Sequence, residues 1–517
     1  MIIDKEIIEF VFVEYLPCGQ VVLVIDNNRR ADPRVQRWVM EMARIHTGAK
    51  NEFVALSELN NRRTRITDAS QYSIGLKDLT NISERQKKVL SYFELSRQLR
   101  ASDIHLIIDS KLTRVEMRLH GDLEEVDSLP RWEGMALAST IILSMCDVAE
   151  TQFYPGREQG GRVKSDFARK VGVFGARYEH RPTADGLYVV MRIIDDDGDA
   201  VPTLNTLGFM PEQRVLAEKI LRIPEGMVIL SGPTGSGKST TLRSFSRIYL
   251  DRTEGRRRLL TIEDPPEGGI KGAIQTPIIA DKSRIDAVQQ AWDSANASAL
   301  RLDPDAILNG EMRDLISIIA AVYAAQTGHL LLTTLHANSA VGILKRMAVL
   351  GVSEALIADA QLIVGLISQR LVQMLCPDCR IPWKVKAPQL IPEIRIRLER
   401  YCGVKGICHP QQLWFRSEEG CTHCRQRLAM SDRIVSRGVI GRSVVAEVIR
   451  PDARFMLLYL THGPAVARQY WVNSLAGITR VTHLLHKLAA GLVDPLDADL
   501  VCPLDEDYIL ACEMPDV

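Results

Sequence analysis

The sequence predicts an α/β protein built around a mostly parallel sheet, and three observations carry that expectation. Between about 204 and 375, short apolar runs alternate with helical stretches: "GMVIL", then "KSTTLRSFSRIYL", then "RLLTIED", "DAILNGE" and "HLLLTTLH". Strands that alternate with helices pair in parallel and have both faces covered. The glycine-rich "GPTGSGKST", Gly232–Thr240, lies between the first of these strands and the first helix, where a phosphate-binding loop belongs. Two Cys-x-x-Cys pairs, Cys376/Cys379 and Cys421/Cys424, follow the last strand.

A chain of 517 residues exceeds one compact core and divides into about three or four domains. Its 46% hydrophobic and 25% charged residues are ordinary globular composition. Lys+Arg and Asp+Glu are both 64, so bulk charge gives no reason to expect a nucleic-acid partner. No apolar run reaches the roughly 18 residues that span a bilayer. The start, "MIIDKEIIEF", carries charges within its apolar segment, unlike a signal peptide, so a cytosolic protein is expected, at most peripheral to a membrane.

In chain order, residues 1–95 mix apolar runs ("VFVEYL", "QVVLVI") with helical patterns and read as a small α/β domain without an assignable motif. Residues 98–195 form a second α/β unit, with "ASDIHLII" and "RVEMRLHGDL" as a hairpin and "GMALASTIILSMCDVAE" as a helix. The acidic Asp195–Thr203 stretch is a linker. Residues 204–375 hold the parallel sheet, 376–450 the cysteine pairs, and 451–517 helices rich in Leu and Ala such as "VTHLLHKLAAGL".

In the phosphate loop, Gly235 and Gly237 let the backbone bend so that successive N–H groups, with the following helix start, face an anion. This predicts ATP bound along Gly232, Pro233, Thr234, Gly235, Ser236, Gly237, Lys238, Ser239 and Thr240. Lys238 would reach the β- and γ-phosphates and Ser239 would ligate Mg²⁺. Three polar segments then close apolar strands: "TIEDPPE" at Thr261–Glu267, "LRLDPDAILNGEMRD" at Leu300–Asp314 and "TGHLLLTTLHANSA" at Thr327–Ala340. Phosphoryl transfer to water needs a group that orients or deprotonates the water. Glu311 is the first candidate and Glu263 the second; capping or turn formation is the plainer alternative for Glu263, Asp264 and Asp314, and it is the favoured one for Asp264, which precedes Pro265. On spacing alone, His329 and His336 read as hydrogen-bonded core histidines.

The segments "GPTGSGKST", "TIEDPPE", "ILNGEMRD" and "TGHLLLTTLHANSA", in that order, resemble the type II secretion and type IV pilus assembly ATPase family. "ASDIHL", "REQGGR", "RPTADG" and "MRII" resemble its second N-terminal domain, "LNTLGF" the start of its ATPase domain and "QRLVQMLCPDC" the start of its cysteine domain, so the likeness covers about 98–450. The resemblance implies a RecA-like ATPase working as a cytoplasmic homo-hexamer at the bacterial inner membrane. It would drive a platform protein there and, through it, pilin subunits. By position, Glu311 resembles the catalytic glutamate, Glu263 the aspartate-box glutamate and His336 the histidine near the γ-phosphate. Arg177, Arg192, Arg301 and Arg313 resemble arginines that close on the nucleotide. The chain departs from the family at Glu116, His120, Ala297, Asn309, Ile316 and Ser317. Gly310, by contrast, stands where the family also has glycine.

Two Cys-x-x-Cys turns can complete a closed tetrahedral Zn²⁺ site, and Cys376, Cys379, Cys421 and Cys424 also resemble the family's four-cysteine module. A redox role for a Cys-x-x-Cys pair is the rival reading. Cys18, Cys146, Cys502 and Cys512 read as buried thiols. The resemblance further implies a pilus system, of the type IVb or conjugative thin kind, because the first domain is shorter than those of typical secretion ATPases, and assembly rather than retraction, because the retraction ATPases it resembles lack a cysteine module. A DNA-translocating or conjugation motor is one alternative, and a non-hydrolysing nucleotide-binding scaffold is another.

Overall fold

Alternation of apolar and polar residues decides which faces the strands bury, and the arrangement follows from that. The computed structural model describes residues 10–15, 21–30, 32–45, 49–56, 58–59, 77–147, 152–195, 201–280, 285–403, 406–428 and 431–510, with the side chains of 14–15, 45, 77–83, 195 and 285–286 left aside. Cys18, Cys512 and most of the 195–203 linker lie outside the described residues. The chain divides into two compact units, 1–88 and 89–517.

The first unit is a three-stranded sheet of β1 (Val11–Tyr15), β2 (Val21–Asp26) and β3 (Lys50–Val54). β1 and β2 are antiparallel, and β2 and β3 parallel. The helix Pro33–Ile45 turns Val35, Trp38 and Met42, spaced along one stripe, onto Val11, Leu23 and Ile25. Val22, Val24, Val54 and Leu59 pack together in a separate small cluster.

The second unit holds two seven-stranded sheets. One is antiparallel and uses β4 (Ala101–Ile108), β5 (Leu112–Leu119), β6 (Asp122–Pro130), β7 (Cys146–Asp147), β8 (Gln159–Val163), β9 (Val173–Pro182) and β10 (Leu187–Asp195) in the order β6-β5-β4-β10-β9-β8-β7. β4 and β5 form the expected hairpin. The stretch read as one long helix is α-helical over Arg131–Thr140 and continues as a π-turn over Ile141–Met145.

The other sheet uses β11 (Gly226–Ser231), β12 (Leu259–Glu263), β13 (Ile274–Pro277), β14 (Ala306–Asn309), β15 (Leu330–Leu335) and β16 (Ile363–Leu375), with the ribbons β17 (Ile381–Pro382)/β18 (Trp414–Phe415) and β19 (Gln426–Arg427)/β20 (Ile434–Val435) outside it, and β21 (Val439–Ile449) at its edge. Its order is β13-β12-β14-β15-β11-β16-β21, parallel throughout except for β21. β11, β14 and β15 are buried along their whole length, as strands covered on both faces must be. Helices Pro211–Ile220 and Lys238–Thr253 cover one face, and Ile285–Ala299, Leu315–Gln326 and Gly342–Val349 the other. The cysteine pairs thus lie in an insertion between two paired strands of this sheet, β16 and β21. From that insertion Leu428 and Val435 are buried in the core of the antiparallel sheet, while Arg433 binds Glu125 at 2.7 Å and Arg416 binds Asp122 at 2.8 Å. No described helix is long and apolar enough to cross a membrane.

Candidate functional site

The site is built at the C-terminal ends of the parallel strands, around a cavity of about 1090 Å³ that the antiparallel sheet closes from the other side. After β11 the chain turns through Gly232, Gly235 and Gly237, all with positive φ. A side chain on Gly232 would put its Cβ 2.4 Å from the Gln369 carbonyl, so the close approach of loop and β16 requires glycine there. Gln369 Nε2 in turn donates to the Ser236 carbonyl at 2.8 Å, and this fixes the loop on the sheet.

The helix Lys238–Thr253 begins at Gly237 without a side-chain cap, so its first amides and the positive end of its dipole face the cavity. Lys238 Nζ donates to the carbonyls of Gly232 at 2.9 Å and Pro233 at 3.1 Å. Burial lowers its pKa, and Glu311 and Glu267 oppose that shift. The open concavity over Gly235, the uncapped amides and the buried, unpartnered Ser236 hydroxyl fit a phosphate chain. Ser239 is the residue that would hold a magnesium ion.

Glu311 follows β14. Its Oε1 lies 3.0 Å from His336 Nε2, and its Oε2 accepts from Arg313 Nε at 2.9 Å. The turn that presents it is pinned twice, because Thr334 Oγ1 donates to the Gly310 carbonyl at 2.8 Å and Met312 N to the Thr334 carbonyl at 2.9 Å. Gly310 has no positive φ, and a Cβ there would only touch the Ile262 carbonyl at 3.4 Å. Its neighbour Asn309 is fully buried and donates through Nδ2 to Asn296 Oδ1 at 2.9 Å, which gives this polar residue within the apolar strand a local partner. Glu263, at the end of β12, accepts from Thr261 Oγ1 at 2.6 Å and Gln275 Nε2 at 3.1 Å and lines the cavity.

The two histidines separate here. His336 faces Glu311, whereas the His329 ring is 3.0 Å from the Ala324 carbonyl and 3.1 Å from Thr327 Oγ1, at the end of the helix Leu315–Gln326. Asp314 caps that helix, its Oδ1 accepting from Ser317 N at 2.8 Å.

Of the four arginines carried over by resemblance, Arg177, Arg192 and Arg313 line the cavity. Arg301 is exposed and is not among the described lining residues. Arg192 pairs with Asp103 at 3.1 Å and Arg177 with Glu179 at 2.9 Å. Sequence reasoning passed over Asp103, Arg118, Glu267 and Arg442, which the cavity also includes. Asp103 lies within the quoted "ASDIHL", so a buried carboxylate at a strand start was the one available signal. His120 lines the cavity too, its imidazole pushed down to about 4 by burial and by Arg442, Arg100 and Arg416, so it is neutral at pH 7.

The four cysteines come together elsewhere. Cys376 and Cys421 sulfurs are 3.7 Å apart, Cys379 and Cys424 3.8 Å, and Cys421 and Cys424 3.9 Å. Sulfurs held tetrahedrally at a Zn–S distance of about 2.3 Å are about 3.8 Å apart, so the set fits zinc. Cys424 Sγ accepts from the amides of Cys421 and Gly438, each at 3.2 Å, which orients it in the cluster.

The fold and the loop define a phosphate-loop α/β protein whose cavity gathers acid, imidazole and arginine at one strand edge. The chain belongs to the type II/IV secretion system protein family, whose profile matches residues 83–482. It is 31% identical to type II secretion system protein E of Pseudomonas aeruginosa, over 74% of this chain and 72% of that one. To the type IV pilus assembly ATPase PilB of Acinetobacter baylyi it is 32% identical, over 71% and 58%. The ATPase DotB of Legionella pneumophila shares the fold at a TM-score of 0.51 and 20% identity, over 78% of this chain and 92% of that one.

Proposed function

We propose that the chain is an ATP-hydrolysing motor with a RecA-like core, acting as a homo-hexamer on an inner-membrane platform protein to assemble pilin subunits or drive type II-like secretion. Support comes above all from Glu311, which stands between His336 and Arg313 across the cavity from Lys238 and the uncapped helix end. Family membership agrees with it.

In this reading the helix amides and Lys238 bind the phosphates, and Glu311 orients the attacking water and takes its proton. His336 holds the carboxylate in place at its 3.0 Å contact. Ser239 would hold magnesium, which when bound would neutralise charge on the phosphates. Arg177, Arg192 and Arg313 answer the negative charge from the cavity walls, and Arg301, exposed in a single chain, would serve a neighbouring subunit. Cys376, Cys379, Cys421 and Cys424 would hold zinc in a structural role, since four thiolates would fill its tetrahedral shell.

The test is phosphate release by the purified protein. Lys238→Ala and Glu311→Ala should each abolish turnover while the circular dichroism spectrum is kept. Measurable turnover in Glu311→Ala would remove the assigned role.

A further inference from the structure

The contact between His336 and Glu311 depends on where a loop is held. His336 Nε2 lies 3.0 Å from Glu311 Oε1, yet the histidine side chain is 49% exposed. It opens the stretch 336–341 after β15, which is neither helix nor strand. A surface segment of that kind moves unless its backbone is tied down. Two buried side chains tie it from behind. Arg480 Nη1 donates to the Asn338 carbonyl at 2.6 Å, and Glu447 Oε2 accepts from the Ala340 amide at 3.1 Å.

Both ties lead to one place. Arg480 is 1% exposed and starts the helix Arg480–Ala489. Its guanidinium also donates to Ser368 Oγ on β16 at 3.0 Å, and it holds Glu506 through Nε, at 3.3 Å, and through Nη2. Glu447, opposite Ser368 in the β16–β21 pair, accepts from Arg468 Nη1 at 2.8 Å, and Arg468 Nη2 donates to Asp507 Oδ1 at 2.8 Å. Glu506 and Asp507 are neighbours at the start of the helix Glu506–Ile509. None of these five charged residues is among the described lining residues of the cavity. A buried ion pair adds little net stability over well-packed apolar residues of like volume. What the planar guanidinium adds is direction, because its donors fix where three acceptors sit.

We propose that Arg480 is a positioning residue for turnover: held by Glu506, it fixes the Asn338 carbonyl and through it the place of His336 against Glu311. This rests on the ATP-hydrolysing reading above. Arg480 touches neither nucleotide nor water; it acts two residues away from the imidazole, through the backbone. The helix Glu506–Ile509, far along the chain from the phosphate loop, thereby supports the catalytic edge of the sheet.

The experiment measures kcat and KM for MgATP, thermal midpoints and hydrogen exchange of the 336–342 peptide in full-length wild type, Arg480→Met, Arg480→Lys, Glu506→Gln, His336→Gln and the double variant Arg480→Met/His336→Gln. Arg480→Met should lower kcat about tenfold or more with KM within about twofold, because the phosphates are bound elsewhere, and the 336–342 amides should exchange faster. Arg480→Lys should regain part of kcat, since it keeps the charge and one donor while losing the fork. The double variant should turn over no more than about twofold slower than His336→Gln alone, because displacing a group costs nothing once the group is gone. If the two single losses multiply in the double variant, Arg480 serves packing only and the assignment falls. It falls also if kcat stays within about twofold of wild type in both Arg480→Met and Glu506→Gln, or if exchange of the loop is unchanged. Should Arg480→Met not fold, Arg480→Lys and Glu506→Gln, each combined with His336→Gln, carry the same comparison. Wild type that releases no phosphate, or His336→Gln as fast as wild type, overturns the hydrolytic reading of this site and the Arg480 role with it.

Discussion

His483 supplies a pH-dependent stability that can be measured by itself. It is 1% exposed in the helix Arg480–Ala489 and accepts from the Ala446 amide through Nδ1 at 3.1 Å. Its Nε2–H then donates to the Gly208 carbonyl at 2.9 Å, so the folded state holds one neutral tautomer. Burial pushes its pKa down to about 3, with Lys487 adding to the shift. Unfolded, the imidazole titrates near its ordinary 6.5. Between these values the unfolded chain binds the extra proton, so stability rises with pH across this window and is lost on acidification. Linkage with these two values gives a loss of about 2 kcal/mol on going from pH 7.5 to pH 5. Urea unfolding of wild type and His483→Gln at both pH values isolates this contribution, because the other histidines are common to the two proteins. Wild type should lose about 2 kcal/mol more than the variant. Parallel losses would refute the buried neutral state.

Zinc should be found at one ion per chain by elemental analysis, and chelation or Cys421→Ser should lower the thermal midpoint, because a closed four-thiolate site contributes directly to folding; a metal-free protein of unchanged stability would favour the redox alternative. Glu447 is fully buried and accepts from Arg468 Nη1 at 2.8 Å and the Ala340 amide at 3.1 Å. Glu447→Ala leaves a buried guanidinium without this partner and should destabilise by about 3 to 5 kcal/mol in urea unfolding, whereas a change under 1 kcal/mol would show that Asp507, 2.8 Å from the same arginine, suffices.

The elements legible in the sequence were those whose physics is local. Gly232, Gly235 and Gly237 set the backbone of the phosphate loop by their own conformational freedom, and the flanking strand and helix are adjacent in the chain. Asp314 and Ser317 form a helix cap within four residues, and the strands of the large sheet announce themselves as apolar runs. Pattern was silent where partners lie far apart. Asn309 interrupts an apolar strand in sequence, but its partner Asn296 lies on a neighbouring helix, and spacing gives the two histidines the same expected role although His336 reaches Glu311 and His329 does not.

The sequence by itself thus determined the α/β class, the phosphate loop and the acidic and cysteine candidates, because each depends on residues a few positions apart. The tertiary structure decided the rest. Strand order brings β4, β5, β10 and β21 to one cavity, where Asp103, Arg118, Arg192 and Arg442 face the loop. The pairing of β16 with β21 makes the cysteine segment an insertion whose Leu428 and Val435 enter another sheet's core. The physical reason is that burial and strand pairing minimise the exposed apolar area of the whole unit at once, and no window of sequence contains the residues that share that minimum.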